Sequence, residues 1–281
     1  MGPKVEELPL GESNPIHDTM FRHYLTVAAV KCLWRFRPHT GPVLFLSRKL
    51  CVKVGSFQHL SEAATMQFIA KHTSIPVPKV YCAFKRKGWT YIVMERIDGR
   101  MVSLDWASRT EESKAKILAQ LKDMVDEMRR LSPPTNARVA NIDGGSLYDS
   151  RLPGKLGDWG RFGPFNTVQD FHRYLRRNVD AHPNLPAEVN DLIAHHERVS
   201  PLPCFTHGDL SSFNVLVRGD NVVGIIDWET TGWYPSYWEY TTALNKNPYN
   251  RFWQKEMAEV LEPRPKDLAM EEVRDRYFGD I

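Results

Sequence analysis

The sequence predicts an α+β fold in which a strand-rich first third leads into a mostly helical remainder, and three observations carry that expectation. Short apolar runs broken by turn signals crowd residues 28–97. A wide apolar stripe at the 3.6-residue period follows Thr110. A last group of strands, Cys204 to Glu229, gathers polar residues at the ends of its runs. Segregated strands and helices of this kind are the mark of an α+β chain.

Taken in order, Met1 to Ser13 combine Pro, Gly and Glu without periodicity and predict a loose arm. Asn14-Pro15 reads as an N-cap with proline at the first helical position, opening a short helix through Phe21 and Leu25. Strands are expected over Ala28–Phe36, Val43–Leu46 and Leu50–Val54, the last two joined by a turn at Ser47-Arg48-Lys49. Lys53 stands in the middle of the apolar run LCVKV, where it either snorkels from an edge strand or holds a buried partner. Ser61-Glu62 opens a helix through Met66 and Ile69, and a glutamate in its first turn can reach back to that strand. A helix N-terminus also favours glutamate for its dipole alone. Thr73 to Pro78 is a proline-stiffened link. Strands at Lys79–Phe84 and Trp89–Ile97 then flank a turn at Lys85–Gly88, and Asp98-Gly99 ends the region.

Thr110 caps the best helix, whose stripe runs through Ile117, Leu121, Val125 and Met128 until Ser132-Pro133-Pro134 stops it. Residues 142–166 are rich in Gly, Asp and Pro and predict a long loop at the edge of a binding pocket. Helices are expected over Thr167–Val179 and Pro186–Arg198, with one or two more closing the chain after Asn250. Six aromatic residues between Trp228 and Tyr240 are read as packing, in preference to a wall for an aromatic or cationic ligand.

Composition narrows the classes. An apolar fraction of 42 % and a charged fraction of 25 % are those of an ordinary globular protein, and 281 residues suffice for a sizeable core. A formal charge of +3 with short basic clusters, Lys85-Arg86-Lys87 on a loop and Arg173 with Arg176-Arg177 on a helix face, argues against nucleic acid. Cys32, Cys51, Cys82 and Cys204 have no metal-ligand spacing and are expected as reduced, mostly buried thiols. His195-His196 is expected on a helix surface. With no apolar run of membrane-spanning length and no signal-peptide core, the expectation is a soluble, cytoplasmic protein with no membrane partner. The oligomeric state is unreadable.

The stretch CFTHGDLSSFNVLVRGDNVVGIIDWE carries the chemistry. It reads as strand, tight loop, strand, turn at Gly219-Asp220-Asn221, strand, so Asp209, Asn214 and Asp227 should meet at one end of a small sheet. Two carboxylates and an amide oxygen suit a hard cation such as magnesium, and a spare carboxylate can orient a hydroxyl. Asp220 and Asn221 are ordinary turn residues. HGDLSSFN followed by GIIDWE resembles the aminoglycoside phosphotransferase and choline kinase-like family, in its fungal branch, from about Leu46 to Leu244.

That resemblance implies a bilobal protein kinase-like fold. Residues 1–97 would form a small nucleotide-binding lobe, and residues 98–281 a mostly helical lobe with the acceptor site. It implies transfer of phosphate from ATP to a hydroxyl of a small molecule. Asp209 would face that hydroxyl, Asn214 and Asp227 would hold Mg2+, and Lys53 steadied by Glu62 would grip the phosphates. Adenine would pair with the backbone of Glu95 and Ile97 beside Met94, and His207 would brace the loop. One stretch departs from the pattern: Arg37 to Pro42, between the first two expected strands, has one glycine and two prolines and so offers few N–H donors to phosphate. Two other readings stand beside this one: a nucleotide-binding pseudokinase, and an enzyme using the same fold for chemistry other than phosphoryl transfer.

Overall fold

In the computed structural model, which describes residues 11, 13–135, 137–152, 160–199, 202–244 and 250–279, two helices sandwich a five-stranded antiparallel sheet. Its strands are β1 (His39–Thr40), β2 (Val43–Phe45), β3 (Leu50–Gly55), β4 (Val80–Arg86) and β5 (Trp89–Glu95), in the order β1-β2-β3-β5-β4. Alternation along the strands gives each face its own core. Val52, Val54, Phe84 and Val93 pack outward against Val30 and Leu33 of α1 (Met20–Leu33) and its C-cap residue Trp34. Cys51, Ile92 and Met94 pack on the other face with Ala63, Met66 and Ile69 of α2 (Leu60–His72).

The first expected strand is a correction. Ala28–Phe36 forms the C-terminal half of α1 and the turn after it. Its valines suggest a strand, but Val30, Leu33 and Trp34 recur at the i, i+3, i+4 spacing of a helix, and the outer sheet face gives that stripe a surface to cover. The helix also starts later than Asn14. Thr19 is its N-cap, accepting the Arg22 N–H at 3.3 Å, while Ile16 pairs its backbone with Ala83. In consequence the expected loop at 37–42 is mostly hairpin: His39 and Thr40 pair with Leu44 and Val43, leaving only Gly41-Pro42 at the turn. Cys32 lies exposed on α1, Cys204 is partly exposed, and Cys51 and Cys82 are buried. The expected arm at 1–13 lies outside the described residues except for Gly11 and Ser13.

Beyond β5 the chain crosses as β6 (Arg100–Met101) into α3 (Glu111–Arg129), which buries Ile117, Leu121, Val125 and Met128 and is capped by the Thr110 hydroxyl. A two-stranded hairpin, β7 (Leu147–Tyr148) and β8 (Arg161–Phe162), rises from the expected long loop. Helices α4 (Val168–Leu175) and α5 (Ala187–Arg198) follow. The former stops short of Val179 because Arg177 and Asn178 adopt left-handed φ values of 53° and 59°. Then come β9 (Cys204–Thr206), β10 (Val215–Arg218), β11 (Asn221–Ile225) and β12 (Gly232–Tyr234). These form two small sheets, β11-β10-β6 and β12-β9. Helices α6 (Trp238–Ala243), α7 (Arg251–Val260) and α8 (Pro265–Phe278) close the described chain.

One apolar cluster runs unbroken from the inner sheet face through α3 to Trp228, Trp253 and α7. The aromatic run after Asp227 is core, as expected: Trp228, Trp233, Tyr234, Tyr237, Trp238 and Tyr240 are all buried. Three polar expectations fail here. Arg86 belongs to β4 and is only partly exposed, Arg176 is buried, with its Nε donating to the Val179 carbonyl, and His196 is buried under His172, their rings 4.1 Å apart. Helix faces that look solvated in isolation are covered by elements distant in sequence, α8 against α5 above all.

Candidate active site

The loop between β9 and β10 is built around a buried histidine. His207 Nδ1 accepts the Asp209 N–H at 3.2 Å, so Nε2 carries the proton and donates to the Ile226 carbonyl at 3.2 Å. Burial pushes the imidazole down to about 4, against the pull of Asp227, and keeps it neutral. It ties the start of the loop to the end of β11 and cannot serve as a proton carrier while so engaged. Glu239 of α6 secures the same turn from below, its two carboxylate oxygens accepting the N–H groups of His207 at 2.6 Å and Gly208 at 3.1 Å. Gly208 has φ +84°, and a Cβ there would meet the Thr230 carbonyl at 3.0 Å, so glycine is required.

Asp209 emerges from this brace. Asn214 donates its amide to the Asp209 carbonyl at 3.0 Å and to its carboxylate at 2.9 Å, so its Oδ1 is not used in holding Asp209. Burial first, and then the nearby Asp227 charge, raise the Asp209 carboxyl to about 6. The far end of the loop is anchored by Ser212 on Asn250 and by the Trp253 indole on the Leu210 carbonyl.

Asp227 follows β11 in the left-handed region, φ 65° and ψ 62°, a conformation uncommon for a residue other than glycine. It faces Lys53 of β3, whose Nζ lies 2.7 Å from Asp227 Oδ1, 2.9 Å from Glu229 Oε2 and 3.0 Å from Glu62 Oε1. Burial would lower the lysine, but Glu62, Asp227 and Glu229 together outweigh it and hold the ammonium well above its ordinary range. Burial, opposed by Lys53, raises Glu62 to about 7. Three carboxylates around one ammonium leave the cluster negative, and one oxygen from each lies within 4.8 Å of the others. An all-oxygen donor set with surplus negative charge fits a hard divalent cation.

The chain expected to line an adenine site runs beside these groups. Met94 is buried at the end of β5, and the Cys51 thiol donates to the Met94 and Glu95 carbonyls at 3.7 and 3.6 Å. Ile97 packs so closely on β11 that a Cβ at Gly224 would fall 2.5 Å from its Cδ1. The segment is thereby fixed against the β10–β11 hairpin. A cavity of about 220 Å³ opens on Asp209, walled by Tyr148, Asp149, Arg151, Ser211, Glu229 and Asn250 among others. Arg151 is held there by Asp149, with Nε 2.8 Å from Oδ1, and its guanidinium lies 5.0 Å from the Trp238 ring centre.

The structure thus brings Lys53, Glu62 and Asp227 into one cluster and Asp209 and Asn214 into the adjoining loop. Residues 56–270 match the phosphotransferase enzyme family known as APH. The chain belongs to that family. Among curated relatives, a subtelomeric hrmA-associated cluster protein of Aspergillus fumigatus is 35 % identical over 68 residues, 23 % of this chain and 13 % of that protein. An aminoglycoside 3'-phosphotransferase of Enterococcus faecalis is 26 % identical over 172 residues, 57 % of this chain and 56 % of that protein. The chain therefore spans little more than half of the second relative and far less of the first. Solved structures share the fold. Aminoglycoside phosphotransferase APH(4)-Ia, as a ternary complex with AMP-PNP and hygromycin B, aligns at TM-score 0.55 and 16 % identity over 89 % of this chain and 88 % of that one. ADP-bound APH(2'')-Ib aligns at 0.52 and 14 %, over 90 % and 86 %.

Three features of this APH-family site were not singled out in the sequence. Glu229 was legible in principle, as the second carboxylate two residues after Asp227. Glu239 carries the weaker signal of a carboxylate set between Trp238 and Tyr240, a place where only a satisfied carboxylate survives burial. Asp149 and Arg151 sit in a loop whose sequence gives no hint of its fold.

Proposed function

We propose that the protein transfers the γ-phosphoryl group of ATP to a hydroxyl of a small molecule. The observation that carries this is the Lys53–Glu62 pair meeting Asp227 at 2.7 Å, beside a braced Asp209 whose carboxylate opens on a cavity. Membership of the APH family supports phosphoryl transfer, and the nucleotide complexes of its structural neighbours support ATP as the donor. The hydroxyl acceptor is taken by analogy from the hygromycin B complex of a structural neighbour.

In this reading residues 1–97 form the nucleotide lobe and 98–281 the acceptor lobe. Glu95 and Ile97 present their backbone to adenine beside Met94, and Lys53, held in place by Glu62, neutralises phosphate charge. Magnesium, held by Asn214 and Asp227 with Glu229 adjoining, would neutralise the charge that develops on the transferring phosphates. Asp209 aligns the acceptor hydroxyl and takes its proton as the new O–P bond forms and the bond to the ADP leaving group breaks. An acceptor in the cavity, whose walls include Tyr148 and Ser211, reaches Asp209 there. His207, Glu239 and Asn214 fix where Asp209 stands, and catalysis is mainly positioning and electrostatics.

The test is ADP release on screening hydroxyl compounds with ATP and magnesium, alongside the unfolding midpoint with the same nucleotide. Nucleotide-dependent stabilisation with no acceptor turned over would support the pseudokinase reading instead. Turnover that persists without ATP and magnesium would place the chemistry outside phosphoryl transfer altogether.

A further inference from the structure

Helix α1 is apolar on both of its faces, and the fold uses only one. Val30, Leu33 and Trp34 turn onto the outer sheet face. The outward arc presents Met20, Phe21, Tyr24 and Leu25, which remain 62, 75, 58 and 59 % exposed, followed toward the C-terminus by exposed Lys31 and Arg35. Single exposed apolar residues are normal, but four large ones on adjacent turns make a contiguous patch. The β4–β5 turn extends it. The Arg86 guanidinium lies 4.5 Å from the Tyr24 ring centre, and Trp89, its partner in the strand register, shares its side of the sheet and is 48 % exposed.

Charge says what such a face meets. Residues 17–37 and 85–87 hold seven Lys and Arg against a single carboxylate, Asp18, which is engaged by His23, whereas the whole chain carries only +3. The rest of the molecule is therefore acidic on balance. A second copy would bring two cationic rims together and be repelled. Aromatic and aliphatic side chains ringed by cations suit a bilayer interface with anionic headgroups.

We propose that α1 and the β4–β5 turn dock on an anionic lipid surface. Met20, Phe21, Tyr24, Leu25 and Trp89 enter the headgroup layer while Lys31, Arg35, Arg86 and Lys87 lie against lipid charge. Among the described residues no helix is long and apolar enough to cross a membrane, so the attachment is peripheral. α1 covers the face of the sheet opposite α2 and Lys53, so docking leaves the candidate active site facing water. This inference is independent of phosphoryl transfer.

The experiment is co-sedimentation of the full chain with phosphatidylcholine vesicles, with and without about one-third phosphatidylserine. Binding is expected only with phosphatidylserine and should weaken as salt rises. Phe21→Ser with Leu25→Ser should abolish it at an unchanged unfolding midpoint, since both side chains are exposed. Lys31→Gln with Arg35→Gln, both exposed on the same arc, should weaken it about five-fold per charge removed. No binding to the mixed vesicles overturns the proposal, as does binding indifferent to Phe21→Ser with Leu25→Ser. A concentration-dependent dimer that the same double variant dissociates would assign the face to a second copy. Capture by polyglutamate without capture by vesicles would assign it to an acidic protein.

Discussion

Asp209 and Glu239 are two carboxylates at the two sides of one turn, the first partly buried and the second fully, and desolvation raises both, to about 6 and about 7. They differ in what their oxygens do. Both oxygens of Glu239 are taken by backbone N–H groups, whereas Asp209 accepts from Asn214 and faces the cavity. A carboxylate with its lone pairs filled holds structure. One with capacity left toward a cavity is poised to meet a ligand. The functional group and the direction of its shift are shared, and satisfaction separates the roles.

The sharpest way to break that comparison is to remove the charge of each in turn. Asp209→Asn is expected to cost turnover a factor on the order of 10² or more while nucleotide binding and unfolding midpoint stay near wild type. Wild-type turnover in that variant would end the role given to Asp209. The same assignment fixes a pH dependence. Asp209 must be ionised to take a proton, so the rate should fall about ten-fold per pH unit below about 6, and Asp209→Asn should lose that limb.

Next in size is the nucleotide contribution. Ligand at about 100 times its dissociation constant stabilises a protein by ~2.7 kcal/mol, which moves the midpoint by several degrees. Asp227→Ala should abolish the magnesium-dependent part of that rise in a melting experiment with ATP. A full shift in the variant would remove Asp227 from the metal site.

Glu239→Gln should act in the opposite manner to Asp209→Asn. Its amide can present only one acceptor oxygen to two N–H donors, so a loss of about 1–3 kcal/mol in stability is expected from denaturant titration, larger than its effect on chemistry per folded molecule. The smallest effect is on the pH dependence of stability. Between the ordinary pKa of 4.5 and about 7 the folded chain keeps a proton on Glu239 that the unfolded chain releases. Stability therefore falls as pH rises through this window, with Glu62 and Asp209 adding the same sign. Glu239→Gln should flatten the slope in part; an unchanged slope would mean Glu239 is ionised throughout.

Much of this architecture was legible in the chain alone. Turn chemistry and alternation delimit β3 and the β10–β11 hairpin, because these depend on neighbours in sequence. The stripe and the cap of α3 were legible for the same reason. The spacing from His207 to Asn214 and on to Asp227 marked the candidate site, since one loop and one hairpin return the chain to the same edge. What the sequence could not decide is which surfaces are covered. Ala28–Phe36 is helical because the outer sheet face needs a covering stripe, and His196 and Arg176 are buried because other elements close over them. The closure of Lys53 by Glu229 as well as Glu62, and the saturation of Glu239, join residues up to 176 positions apart. Local pattern determines which elements form and what chemistry they carry; only tertiary packing decides which polar groups are satisfied, and so which of two similar carboxylates is left free to act.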